Sequence, residues 1–272
     1  MAEIMLFFTS LIADMARFPE PMLFVAGLIA GTINTLAGGG SFILFPALLF
    51  AGVPPVIANA SNTYASFPGY ASGAFGFWRE IVAHRDKLIG YTIVSLVFGY
   101  VGAELLLRVS NETFVLVVPW LLLFAVLLFA FGGRINSYVR QLGGGNGRSR
   151  HAGVVLLFVL LAGICVYGGF FNAGLGVLLL AFLALAGFTD IHAMNGLKLW
   201  ISTLVALVCV IRFALSGAID WYHGSIALVG VTIGGYVAAR VAKRIPTKLI
   251  RGLVIVYGIG LTGWFFWQAY GA

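Results

Sequence analysis

Long apolar runs separated by short polar punctuation make up almost the whole chain. Four runs (residues 24–50, 55–77, 88–107 and 114–133) precede a polar, Gly-rich stretch at 134–151, and four more (154–186, 191–215, 225–242 and 249–270) follow it. An apolar helix needs about 20 residues to cross a bilayer. The pattern therefore predicts an all-α polytopic membrane protein. The first run of each set is too long for one span and is interrupted by glycine, so each half is predicted to hold a broken or re-entrant helical segment followed by three longer helices. Counting the broken pieces gives about 8–10 membrane segments.

The first interruption reads GTINTLAGGGS over residues 31–41. Each glycine costs a helix interior about 1 kcal/mol against alanine, so three in a row favour a break. Ser41 suits the N-cap of the helix that resumes with FILFPALLF. A second copy, Asn172-Ala173-Gly174-Leu175-Gly176, precedes another apolar run. A helix start inside lipid presents unpaired N–H groups and a partial positive charge, which suits an anion, and glycine lets the anion approach the main chain. Gly38, Gly39, Gly40, Ser41, Asn34, Asn172 and Gly174 are thus candidate substrate contacts. Small residues also serve close helix packing, and that reading stands beside the functional one. A ten-residue piece is about 15 Å of helix, half a bilayer; hydropathy does not separate a re-entrant hairpin from a pair of short spans.

Shifting the chain by 136 positions lays Gly27 on Gly163, Asn59 on Asn195, Ser66 on Ser202, Gly99 on Gly235 and Arg108 on Arg244. This points to an internal duplication, with a first transmembrane repeat at 22–133, a linker at 134–151 and a second repeat at 152–272. The linker carries Arg134, Arg140, Arg148 and Arg150 without one acid, which places it in the cytoplasm. Counting spans outward puts Arg79–Lys87 inside, the 110–113 turn outside, and residues 216–223 outside. Equivalent loops fall on opposite faces, so the two structural repeats are predicted to be inverted, a transporter plan with its substrate near the midplane.

Composition supports this picture: 61% of the 272 residues are hydrophobic and 9% charged, against about 25% charged in soluble domains. A net charge of +7 raises nucleic acid as a partner, but the basic residues sit at segment ends and read as topology anchors, so no nucleic acid is expected. Cys165 and Cys209 lie in apolar runs and read as core. Residues 1–21 carry Glu3 and Asp14, lack a basic start, and read as an extra span or an interfacial helix rather than a cleavable signal. Homo-oligomer formation is left open.

The second helix of each half starts with a polar face. Asn59, Asn62 and Ser66 stand at i, i+3, i+7; Asn195, Lys198 and Ser202 repeat the spacing, so one half has an amide where the other has a cation, and Asn59, Asn62, Asn195 and Lys198 join the candidate substrate contacts. Lys198 lies about 12 Å along its helix from Asp190, too deep for easy snorkelling, and a charge there is a functional candidate. Its structural alternative is an ion pair with Glu104, Asp190 or Glu80. His192 is a candidate for coupling, or a hydrogen-bonding group at a helix start. Pro46 and Pro68 interrupt helices as candidate hinges. HExxH, CxxC and phosphate-loop signatures are missing, no metal or cofactor is expected, and Lys198 with Ser202 is the sole faint nucleophile–base pair.

These residues resemble the sulfite exporter TauE/SafE family, also called toluene sulfonate uptake permeases. The likeness lies in AGTINTLAGGGSFILFPALLFAGVPPVIANASNTYAS, in AGICVYGGFFNAGLGVLLLAFLALAGFTDIHAMNG and in IGGYVAARVAKRIPTKLIRGL, and it extends over nearly all of the chain beyond residue 22. Gly38, Gly39, Gly40 and Pro46 match the first-half signature; Leu175 and Phe182 depart from it in the second. The resemblance implies a secondary carrier in a bacterial inner membrane, moving sulfite, thiosulfate, an organosulfonate or another small anion. An anion channel, or a membrane enzyme acting on a lipid or sulfur compound, is the alternative.

Overall fold

A computed structural model describes residues 19–36, 39–142, 150–241 and 247–271. Residues 1–18, Gly38 and most of the Gly-rich linker core therefore lie outside the described residues. The described chain forms eleven helices: α1 Pro19–Leu36, α2 Ser41–Phe50, α3 Pro55–Gly76, α4 Trp78–Val82, α5 Arg85–Arg108, α6 Asn111–Leu142, α7 Arg150–Phe170, α8 Leu175–Leu185, α9 Ile191–Leu215, α10 Trp221–Val241 and α11 Thr247–Tyr270. α5, α9 and the Gly252–Tyr270 part of α11 are long and apolar enough to cross a membrane on their own. Their outward faces carry exposed residues such as Ile89, Ile93, Val97, Ile211, Leu215 and Ile259, as a lipid-facing surface requires. The protein is an all-α, multi-pass membrane protein.

Both long first runs break where the glycines stand. α1 stops at Leu36 and α2 resumes at Ser41; α7 stops at Phe170 and α8 resumes at Leu175. Ser41 does not cap α2 as its residue type suggests. It is the first helical residue, and Gly40 holds the cap position with helical φ −58° and ψ −34° and makes no side-chain cap bond. In the second break Gly174 takes the left-handed conformation, φ +83°, which costs an L-residue about 1–2 kcal/mol. Side chains from elsewhere fix this break. Asn59 Nδ2 donates to the Phe170 carbonyl at 2.8 Å, and the Tyr167 hydroxyl donates to the Ala173 carbonyl at 2.7 Å. The Phe170 carbonyl is at the end of α7 and the Ala173 carbonyl lies in the break itself, so neither has an intrahelical donor and each bond meets an obligatory need. Below the break, the Phe171 ring packs edge-on against Phe45 of α2 at 5.7 Å.

α2 and α8 lead away from their breaks to different ends of α5. Beyond α2, the Val56 N–H donates to Asn111 Oδ1 at 3.0 Å, beside the turn that follows α5. Beyond α8, the Phe188 ring lies 4.3 Å below the Lys87 ammonium, in the first turn of α5. α5 has 24 residues, about 36 Å of helix between these two places.

Two crossings bring backbones together where the sequence is rich in small residues. α1 packs along α10, and α7 packs along α5. At Gly31 a methyl group would sit 2.1 Å from the Val231 carbonyl oxygen; at Gly102 it would sit 2.2 Å from that of Val166. A backbone oxygen has no rotamer into which to retreat. Gly31→Ala is therefore expected to destabilise by about 1–3 kcal/mol, the range for an overpacked interior. Gly263→Ala, whose methyl group meets nothing within 4 Å, should gain up to about 1 kcal/mol from helix propensity. Thermal denaturation of both variants in detergent checks the contrast.

The helix ends also use charge as the pattern suggests. Glu104 of α5 accepts from Arg108 at 3.1 Å and from Arg212 of α9 at 2.8 Å, anchoring two helix ends together. Asp190 caps α9: its carboxylate accepts from the N–H groups of His192 and Ala193, and these bonds hold its carboxyl below the usual range. Cys165 and Cys209 are free and buried.

Candidate functional site

The two breaks meet at a cavity of about 30 Å³. On the same measure, a single water needs about 10–15 Å³. Asn34, Gly39, Gly40 and Ser41 form one side of it, Asn172, Gly174 and Gly176 the other. Both α2 and α8 start at its wall, so the positive ends of two helix dipoles face one space, although turn bonds already engage the N–H groups of Phe42, Ile43, Leu175 and Val177. α9 supplies Lys198, Leu199 and Ser202, and α3 supplies Tyr70.

Lys198 and Gly176 both line the cavity, and the lysine stem passes beside Gly176, where an added methyl group would meet it at an ordinary contact of 3.5 Å. Its ammonium donates to Asn195 Oδ1 at 3.1 Å. Among the described residues no carboxylate lies within ion-pair distance of it. Glu104 is taken by two arginines and Asp190 by the α9 main chain, which removes two of the three structural partners considered for Lys198. An ammonium in such a place keeps its charge only with other polar partners, and the cavity is where they would have to be.

Tyr70 closes the opposite wall. Its hydroxyl donates to Asn172 Oδ1 at 3.4 Å, with Ser41, Asn34 and Ser66 beside it. Asn172 Nδ2 is left buried without a hydrogen-bond partner. Buried amide hydrogens are rarely left unpaired in folded proteins, so this one marks a place for an acceptor.

Of the residues singled out from the sequence, nine of the described ones line this cavity: Asn34, Gly39, Gly40, Ser41, Asn172, Gly174, Gly176, Lys198 and Ser202. Asn195 stands behind Lys198 as its acceptor. Asn59 ties α3 to the end of α7, and Asn62 is buried on α3 with neither amide atom bonded; neither lines the cavity. His192 is exposed, its ring stacked near Phe77 at 6.4 Å, away from the cavity wall. Pro46 is inside α2 and Pro68 inside α3, two residues before Tyr70. Gly38 lies outside the described residues. Tyr70 and Leu199 were not singled out, although Tyr70 continues the Asn59, Asn62, Ser66 face by one more turn. Among the described residues no cluster of three or more His, Cys, Asp or Glu side chains could hold a metal ion.

Residues 23–265 match the family described as "Sulfite exporter TauE/SafE". The chain is 30% identical over 250 residues to the "Probable membrane transporter protein ORF9" of Sinorhizobium sp, covering 91% of this chain and 92% of that protein. It is 29% identical over 254 residues to the "Probable membrane transporter protein YfcA" of Escherichia coli (strain K12), covering 92% and 90%. A "Probable membrane transporter protein" of Haemophilus influenzae is 28% identical over 254 residues, covering 90% and 96%. No solved structure matches. With a family match from one end of the helical body to the other, and similarity over nearly their whole length to proteins named as probable membrane transporters, the chain belongs to the sulfite exporter TauE/SafE family and is a transporter of the cell membrane rather than an enzyme.

Proposed function

We propose that this transporter carries a small sulfur-containing or organic oxyanion, such as sulfite, thiosulfate or an organosulfonate, by alternating access between two inverted halves, residues 22–133 and 152–272. One observation carries the reading: an ammonium with no carboxylate beside it among the described residues, a buried amide N–H₂ without an acceptor and two helix starts all converge on one cavity. Each of these groups is a donor or a partial positive charge. A small oxyanion supplies acceptors to all of them and recovers much of its lost hydration.

The inverted arrangement has independent support. The starts of α3 and α9, of α5 and α10, and of α6 and α11 are each 136 positions apart. Packing repeats too: α1 lies on α10 as α7 lies on α5, and α3 lies on α10 as α9 lies on α5. α2 and α8 depart toward opposite ends of α5. With the arginine-rich linker in the cytoplasm, α9 starts on the inner face, and Lys198 is about 10 Å above it. The cavity is then on the cytoplasmic side, as in an inward-facing carrier.

Purified protein in proteoliposomes tests the reading with sulfite, thiosulfate, sulfoacetate and taurine. A carrier shows saturable uptake that is accelerated by the same anion on the far side. Current far above carrier turnover without counterflow would assign a channel instead, and no flux of any of the four would remove this substrate class.

A further inference from the structure

We propose that Asn59 and Asn62 form a second, uncharged anion subsite on the outward side of the same pathway, shut in the conformer described and used by the same oxyanion when the carrier opens outward. The inference rests on the transport reading above and adds where the anion goes next.

Asn62 is buried, and neither its carbonyl nor its amide nitrogen has a hydrogen-bond partner; Asn59 Oδ1 is equally unpaired. Three orphaned polar atoms on two neighbouring side chains are more than a packed interior carries without a use. Apolar residues of the same size would fill that space at lower free energy. The place of the pair within the fold indicates the use. Asn62 stands seven residues after the start of α3, and Lys198 seven residues after the start of α9. Each is thus about 10 Å along its helix. With the two halves inverted, those depths are measured from opposite faces of the membrane. Asn59 and Asn62 correspond to Asn195 and Lys198, but with a neutral amide in place of the ammonium.

The pair is also joined to the known cavity. At 100° per residue, Asn59, Asn62, Ser66 and Tyr70 fall within about 80° of one another on α3. Ser66 is beside the Tyr70 hydroxyl, which is in the cavity wall. A polar track therefore leads from the cavity toward the outer end of α3. Above it, α10 is drawn down on α3. The Asp220 N–H donates to Ser61 Oγ at 2.9 Å, and the hydroxyls of Tyr64 and Ser225 meet at 3.3 Å. Ser61 and Tyr64 flank Asn62, so these two bonds, with the edge-on Tyr64–Trp221 ring contact at 5.0 Å, are among the contacts that parting α10 from α3 would break. Asn62 Nδ2 is the free donor for the oxyanion, and the two carbonyl oxygens accept from an O–H of the solute or from water that enters with it. Such a neutral subsite does not hold the anion as an ammonium does, which suits release or capture at the outer face.

Asn62→Leu removes the orphaned atoms and keeps the volume. In proteoliposomes its exchange of sulfite, thiosulfate, sulfoacetate or taurine is expected to fall about tenfold or more, the change that follows the loss of a site hydrogen bond or two. Stabilisation by the same anion in detergent, which reports the Lys198 cavity, should persist, and the melting temperature should hold or rise. Exchange within about twofold of the wild type would overturn the subsite. A second variant decides the case if Asn62→Leu does not fold. Asn62→Cys, in a Cys165→Ser, Cys209→Ser background, should react with an impermeant maleimide from outside during exchange, and the anion should slow that reaction. Continued exchange with no labelling from outside would overturn it. Wild-type vesicles that carry none of the four sulfur compounds would instead overturn the transport reading, and this inference with it.

Discussion

Lys198→Met is expected to remove anion-induced stabilisation in detergent and to cut flux by about 10- to 100-fold, the size of a lost charge-assisted hydrogen bond of about 1.5–3 kcal/mol. Methionine keeps the unbranched stem that passes Gly176 and deletes only the ammonium. The folded protein should not suffer. The ammonium has Asn195 Oδ1 as its acceptor and no carboxylate within reach among the described residues. Removing such a charge from a low-dielectric site relieves a desolvation cost and breaks no ion pair. The melting temperature of the variant without anion should therefore match or exceed that of the wild type. A drop in flux together with a fall in melting temperature would make Lys198 a structural residue. Unchanged affinity would take it out of the site.

Gly40→Ala should have the opposite signature, with loss of fold and function together. A methyl group at residue 40 would lie 2.3 Å from the Ala30 carbonyl oxygen and 2.9 Å from the Asn34 Cβ. Two of its nearest atoms belong to the backbone of α1, so relief requires moving α1 away from α2. That movement would also displace Asn34 and open the cavity wall. A loss of several kcal/mol is expected, about 1–3 from overpacking and the rest from the disturbed wall. Size-exclusion profiles and melting curves in detergent measure it. Gly174→Ala is the milder companion: its cost is the left-handed φ of +83°, with Ala125 Cβ 3.0 Å from the added methyl group. A Gly40→Ala protein as stable as Gly174→Ala would show that α1 and α2 are not held as described.

Much of this was legible in the residues. Three glycines in a row, and Asn-Ala-Gly-Leu-Gly in the second half, announced both breaks because glycine penalises a helix whatever surrounds it. Lys198 was legible for a similar reason, since a cation seven residues into an apolar helix needs an explanation. The role of Ser41 was not. A serine before an apolar run fits an N-cap, but Gly40 already has helical dihedrals, and Ser41 is thereby turned into the cavity wall. Tyr70 was missed because a tyrosine in a membrane helix has many uses, and only the approach of the second break brings Asn172 to its hydroxyl. Asn59, read as a substrate contact, bonds the end of α7 instead; that demand comes from a helix 111 residues away in the chain and has no local trace. The arginine-rich stretch read as linker is helical as far as Leu142, since α6 continues past the expected end of its span.

Lys198 has no counter-carboxylate among the described residues, and this has an electrical consequence. Once a monovalent solute is seated, the moving centre is neutral, whereas the empty centre bears one positive charge. A charge carried through the whole membrane field is worth about 2.3 kcal/mol per 100 mV. Voltage should therefore act on the return of the unloaded protein and leave one-for-one exchange almost untouched.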